Sequence, residues 1–149
     1  MFEVRVEAAF SAAHFLQDYH GKCERLHGHN YKVFAHARGS TLDEGGMLLD
    51  FSELKKALRT VCEELDHRNL NDFDFFRQNP SAERIAMYIY EGIVRQIPSL
   101  RRNKDRPDGG ASRETGSASA GSKTSSGAAT LYAVDVFETD TSRARFCPD

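Results

Sequence analysis

Six histidines occur in the chain, and three stand where their imidazoles could share one metal ion. In His27-Gly28-His29 two rings sit at i and i+2, on one side of an extended segment and roughly 6 to 7 Å apart by Cα. The glycine between them permits a close approach or an unusual backbone angle. His14 closes the run Phe10-Ser11-Ala12-Ala13-His14, and a hairpin joining that run to the segment after His27 would bring all three rings together. Three neutral nitrogen ligands with a fourth position open is the arrangement of a catalytic Zn2+; a structural zinc is closed by four ligands, usually with cysteines among them. Imidazole suits other divalent metals too, so ligand type alone does not select zinc. His20 and His36 have no comparable placement and read as surface residues.

Groups able to move protons lie nearby in sequence. Cys23 precedes His27 by four residues and is flanked by Lys22 and Arg25. A thiol beside a divalent metal and basic groups can ionise near neutral pH and act as a base or nucleophile; alternatively it closes the metal site as a fourth ligand. Asp66 and His67 are adjacent, so the carboxylate could favour the imidazolium and make it a proton donor, although a loop after a helix explains the pair equally. Glu138 ends a strand whose Tyr132, Val134 and Val136 share its face. It either reaches solvent or accepts from a ligand carrying adjacent N–H donors. Cys62 reads as helix packing, and Cys147 has no partner pattern.

The elements that must position these residues are legible from periodicity. Phe2, Val4, Val6, Ala8 and Phe10 alternate with Glu3, Arg5 and Glu7, which predicts a strand buried on one face. Asn30 to Arg38 alternates in the same way. Asp50 as N-cap, with Glu53 three residues on, opens a helix whose Leu54, Leu58, Val61 and Leu65 form an apolar stripe. A second helix starts near Pro80-Ser81-Ala82-Glu83, carries Ile85, Ile89, Ile93 and Ile97, and stops at Pro98. Leu131 to Glu138 and Ala144 to Cys147 read as strands. The order ββααββ predicts an α+β domain: an antiparallel four-stranded sheet with both helices on one face.

At 149 residues the chain suits one domain. Its 20 basic and 22 acidic residues give a net charge of −2, which excludes a nucleic-acid binder held by a dense basic face. No apolar run approaches the roughly 18 to 20 residues of a membrane span. The alternating, charged start reads as neither signal peptide nor anchor, and three cysteines make no disulfide framework. A soluble, cytoplasmic protein is expected. The apolar share of 40% is low because residues 103–129 hold five Gly, six Ser and five Ala and no Val, Ile, Leu, Met, Phe, Tyr or Cys. That composition predicts a flexible insertion in a single 1–149 domain; outside it the apolar share rises to about 44%.

Taken in order, Phe10-Ser11-Ala12-Ala13-His14, Cys23-x-x-x-His27-Gly28-His29-Asn30-Tyr31, Gly46-Met47-Leu48-Leu49-Asp50-Phe51, Leu65-Asp66-His67-Arg68-Asn69-Leu70-Asn71, Asn79-Pro80-Ser81-Ala82-Glu83 and Val136-Phe137-Glu138-Thr139 resemble one family, the 6-pyruvoyl-tetrahydropterin and 6-carboxytetrahydropterin synthases. The resemblance spans the chain apart from the low-complexity segment. It implies the tunnelling fold, whose ββααββ units assemble into barrels, and a homo-oligomer, a hexamer built as a dimer of trimers with sites between subunits. It also implies Zn2+ on His14, His27 and His29. Cys23 would take a proton from the substrate side chain, with Asp66 and His67 supplying or relaying one on the opposite side. Glu138 would grip the amino-pyrimidine edge of a pterin, accepting two parallel N–H bonds. The three residues between Cys23 and His27 resemble the bacterial 6-carboxytetrahydropterin synthases of 7-deazaguanine and queuosine synthesis. Those enzymes convert 7,8-dihydroneopterin triphosphate to 6-carboxy-5,6,7,8-tetrahydropterin, acetaldehyde and triphosphate. Lys22, Arg25 and Arg68 are candidates for the triphosphate on charge alone. Two other readings stay open: the pyruvoyl-forming synthase, and a non-catalytic zinc module with Cys23 as fourth ligand.

Overall fold

The structure is a computed structural model that describes residues 1–77, 79–101 and 129–149. The segment read as an insertion, 103–129, lies outside the described residues except for Ala129, which is buried. Strands β1 (Phe2–His14), β2 (His27–Gly39), β3 (Thr130–Thr139) and β4 (Ser142–Phe146) form one antiparallel sheet in the order β1-β2-β3-β4. Helix α1 (Phe51–Leu65) packs on β1, and α2 (Ala82–Gln96) packs on β3, β4 and α1. The expected α+β architecture is thus the observed one.

The core lies between the helices and one face of the sheet. Val6, Phe10 and Ala12 of β1, Tyr31, Val33 and Ala35 of β2, and Val134 and Val136 of β3 meet the Leu and Ile stripes of α1 and α2 there. The helices can approach because residue 92 is glycine: a Cβ on Gly92 would lie 2.6 Å from Val61 Cγ2. Asp50 caps α1 by accepting from Ser52 N–H at 2.7 Å, so no capping box with Glu53 is needed. Ser81 caps α2 by accepting from Arg84 N–H. Among the described residues no helix is long and apolar enough to cross a membrane.

Two local features depart from the periodicity. The first two strands extend to 13 residues each, in unbroken register from Phe2↔Gly39 to His14↔His27. Alternation continues through Ala12 and His14, but a small residue and a polar one do not announce a buried face. The second departure is a register shift in the β2–β3 ladder, where His36 and Ala37 pair with Ala133 and Leu131 and leave Tyr132 as the extra residue of β3. A bulge turns neighbouring side chains over, and Tyr132 points away from Val134 and Val136, its ring beside His36 and under the Arg38 guanidinium. The shared face of Tyr132 with Glu138 is therefore corrected: Val134, Val136 and Glu138 share it, and Tyr132 does not.

Candidate functional site

The end of the β1–β2 ladder places three imidazoles on the helix side of the sheet. His14 and His27 are directly paired, and His29 pairs with Ala12 one step further in. Gly28 between His27 and His29 sits in the ladder, where a Cβ would come within 3.3 Å of Ala12 O. Close approach, and not an unusual backbone angle, is what glycine supplies here. The ring centroids lie 4.6 to 5.1 Å apart, and one nitrogen of each ring lies within 4.8 Å of the others.

The hydrogen bonds fix which nitrogens carry protons. His14 Nδ1 is 2.8 Å from Pro80 O, and His27 Nδ1 is 2.7 Å from Arg25 O. A carbonyl only accepts, so both Nδ1 atoms donate and both Nε2 atoms present lone pairs. Those two Nε2 atoms face one another at 3.1 Å. Two acceptors so close repel unless a cation or proton lies between them. Tetrahedral zinc with bonds of about 2.0 to 2.1 Å separates its nitrogen ligands by about 3.3 Å, so the residues present fit such an ion. His14 is almost fully buried, and burial foremost, with His27 and His29 adding to it, holds its pKa below the usual imidazole value. The neutral ring is the form that binds a metal.

Glu138, at the end of β3, stands over the cluster, its Oε1 3.4 Å from His14 Nε2 and 3.9 Å from His29 Nε2. It does not simply reach solvent. Cys23 lies in a single 3-10 turn, Lys22–Glu24, is half-buried, and accepts through its carbonyl from Leu16 N–H at 2.8 Å. Among the described residues, its thiol is not part of the three-nitrogen group. Asp66 and His67 lie elsewhere. Asp66 Oδ1 accepts from Ser11 N–H on the β1 edge away from β2, and Oδ2 lies 2.8 Å from His67 Nδ1. The Ser11 N–H, then His67, hold the Asp66 carboxyl below its usual range. Ser11 is three residues before His14, about 10 Å along a strand, and the His67 ring is 83% exposed. Within one chain the pair is not brought onto the imidazoles.

A sequence profile of the family described as 6-pyruvoyl tetrahydropterin synthase matches residues 3–107. The chain belongs to this family. The 6-carboxy-5,6,7,8-tetrahydropterin synthase of Bacillus subtilis is 37% identical over 105 residues, 66% of this chain and 70% of that one. The 6-pyruvoyl tetrahydrobiopterin synthase of Drosophila melanogaster is 43% identical over 82 residues, 52% of this chain and 49% of that one. Among solved structures, the Caenorhabditis elegans 6-pyruvoyl tetrahydropterin synthase superposes with a TM-score of 0.71 at 26% identity, covering 99% of this chain and 96% of that one.

A cavity of about 190 Å³ beside Glu138 is lined by Leu16, Ser81, Glu83 and Arg143, among others. Glu83 escaped the sequence reading because an acid in the first turn of a helix has an ordinary explanation, the helix dipole; only the fold shows it sharing a cavity with Glu138. His36 was misread. It is 5% exposed, on the opposite face of the sheet, with Nε2 2.8 Å from Asp135 Oδ2. Its position near the middle of β2 buries it between neighbouring strands. His20 is exposed, as expected. Cys62 is buried, which pushes its thiol up to about 12, and Cys147 is exposed.

Proposed function

We propose that the protein is a zinc-dependent 6-carboxytetrahydropterin synthase of 7-deazaguanine and queuosine synthesis. Its reaction takes 7,8-dihydroneopterin triphosphate and water to 6-carboxy-5,6,7,8-tetrahydropterin, acetaldehyde and triphosphate. The observation that carries this reading is the pair of facing Nε2 lone pairs on His14 and His27, with His29 beside them and Glu138 above. Zn2+ held by His14, His27 and His29 would supply Lewis acidity toward the substrate's side-chain hydroxyls. Cys23, on the loop that joins the strands carrying the ligands, would take a proton from that side chain. Glu138 would accept from the amino-pyrimidine edge of the pterin. The choice of the carboxy-forming reaction is supported by the three-residue gap between Cys23 and His27 and by the Bacillus relative, which matches over most of its length.

Asp66 and His67 would serve a site completed by a neighbouring copy, since they sit on the far edge of β1, exposed. A homohexamer of barrels, as the family resemblance implies, gives such an arrangement. The proposal draws on no residue of 103–129, so deleting that segment should leave metal retention and turnover intact.

Incubating zinc-loaded protein with 7,8-dihydroneopterin triphosphate and assaying acetaldehyde tests the assignment. Consumption of substrate without acetaldehyde would favour the pyruvoyl-forming reaction, which the Drosophila relative makes the second reading. Cys23→Ala should keep its metal and lose turnover by about 10²-fold or more. Loss of the metal would mark Cys23 as a ligand, and full turnover would remove it from the chemistry.

A further inference from the structure

We propose that Asn79, supported by Asn71, is a positioning residue for the metal ligand His14. The inference rests on the reading of His14, His27 and His29 as metal ligands. Along the β1 edge away from β2, every second residue points its N–H and C=O outward. At Ser11 and Ala13 these groups are met by the 66–69 segment: Ser11 O accepts from His67 N–H at 2.6 Å, and Ala13 N–H donates to Arg68 O at 2.9 Å. Beyond that point the partner segment turns away through two 3-10 turns, Leu70–Asp72 and Asp74–Phe76. Among the described residues no backbone hydrogen bond from that segment meets this edge of the chain beyond Ala13.

Two side-chain amides take over. Phe15 N–H donates to Asn71 Oδ1 at 2.9 Å, and Asn71 Nδ2 donates back to Phe15 O at 2.9 Å. Gln17 N–H donates to Asn79 Oδ1 at 2.7 Å, and Asn79 Nδ2 donates to Gln17 O at 3.4 Å. A primary amide holds a donor and an acceptor in one plane, so each asparagine stands in for a peptide group of a neighbouring strand.

Asn79 has a second connection to the site. It precedes Pro80, whose carbonyl accepts from His14 Nδ1–H. Residues 79 and 80 therefore hold the end of β1 and the segment after it at two points, the ring of His14 and the backbone of Gln17. Proline fixes its own φ, which keeps those two grips at a set separation. The segment is anchored from α2: the Arg84 guanidinium donates to Phe76 O at 2.6 Å and to Asn79 O at 3.4 Å. Release of the Gln17 grip would let the Pro80 carbonyl drift from His14 Nδ1, freeing both the ring angle and the tautomer that aims Nε2. Losing such an outer partner typically costs about 10- to 100-fold in metal affinity.

The test uses the full chain, stripped of metal and titrated with Zn2+ against a chromophoric chelator, and with Co2+ by visible absorption. Asn79→Ala should bind Zn2+ about 10-fold or more weakly than wild type and show an altered Co2+ spectrum. Asn79→Asp keeps the shorter bond, to Gln17 N–H, and should recover most of the affinity. A lower unfolding temperature of apo Asn79→Ala with unchanged Zn2+ affinity and Co2+ spectrum would overturn the proposal, as would an Asp variant as weak as the Ala one. If Asn79→Ala does not fold, Asn71→Ala, which frees Phe15 beside His14, is read by the same two outcomes. Failure of the wild type to bind either metal would instead overturn the metal reading itself, and this inference with it.

Discussion

Two histidine clusters lie on opposite faces of the same sheet, and they differ in what the chain leaves unmet. On the helix side, His14 and His27 spend their Nδ1 protons on carbonyls, and their remaining lone pairs point at each other 3.1 Å apart. On the other face, His36 Nε2 meets Asp135, while Arg145 donates to both Asp135 oxygens at 2.7 and 2.8 Å. Glu3 lies 3.6 Å from His36 Nδ1. One residue from each strand, Glu3, His36, Asp135 and Arg145, thus joins a network in which Arg145 and His36 meet the Asp135 carboxylate, while His36 Nδ1 has Glu3 nearby but no hydrogen bond. Both clusters contain a histidine at least 95% buried. Burial therefore does not mark a candidate metal site; lone pairs converging on one point do.

The contrast is sharpest in metal binding. His27→Ala should weaken Zn2+ binding by more than the about 10- to 100-fold expected for an outer partner, because a ligand itself is gone. His36→Ala should leave the affinity unchanged and lower stability by about 1 to 3 kcal/mol, the cost of stripping a hydrogen-bond partner from buried Asp135. Competition titration and denaturant unfolding of both variants read the two effects separately. A metal loss in His36→Ala would erase the distinction between the clusters.

How far each cluster was legible in sequence follows from the same physics. His-Gly-His is a local pattern with strand period, and His14 lay at the end of an alternating run, so the meeting of the three rings could be read by extending a hairpin. The network around His36 is not local: it unites Glu3, His36, Asp135 and Arg145, and only strand order and a bulge bring them into register. Cys23 is legible as chemistry but not as position, since its loop is closed by a backbone bond from Leu16 that no side chain announces. The Asp66–His67 pair was legible as a carboxylate beside an imidazole, and the two side chains do meet, at 2.8 Å. Its place on the far edge of β1 depends on a short parallel bridge, Ala13↔Asn69, that periodicity cannot show. The α+β fold was the most legible part, because its strands and helices carry unmixed periods of 2 and 3.6.

Next in size is the effect of removing the Arg145 cation from the cluster around Asp135. Arg145→Met leaves the Asp135 carboxylate, only 4% exposed, with His36 and a distant Arg143 as its remaining partners. Breaking a buried pair by deleting one member costs about 3 to 5 kcal/mol; the partial exposure of Arg145 places this loss at the lower end. Adding Asp135→Asn should restore part of it, since the stranded charge is then gone. A double-mutant cycle by urea unfolding measures the coupling. Additive losses would show that Asp135 does not depend on Arg145.

The smallest effect is one of pH, and it separates the two faces without touching the ligands. Burial alone would raise the Asp135 carboxyl, but the hydrogen bonds from Arg145 and His36, with their charges, outweigh it and the net shift is downward. A carboxyl whose folded pKa lies below its unfolded value binds its proton more readily when unfolded. Its contribution to stability is therefore complete above the unfolded value, about 3.9, and is lost as pH falls through the folded one. Other carboxylates titrate in the same window, Glu3 and Asp66 among them with lowered pKa values of their own. The informative quantity is accordingly the difference between wild type and Asp135→Asn. Wild type should be the more stable above pH 4, with the gap narrowing as pH falls further, in apo protein and metal-loaded protein alike above the pH at which metal is released. Parallel stability curves would mean that the Asp135 charge is not what holds the four strands together on that face, and would leave the shape of the network, not its electrostatics, to account for its burial.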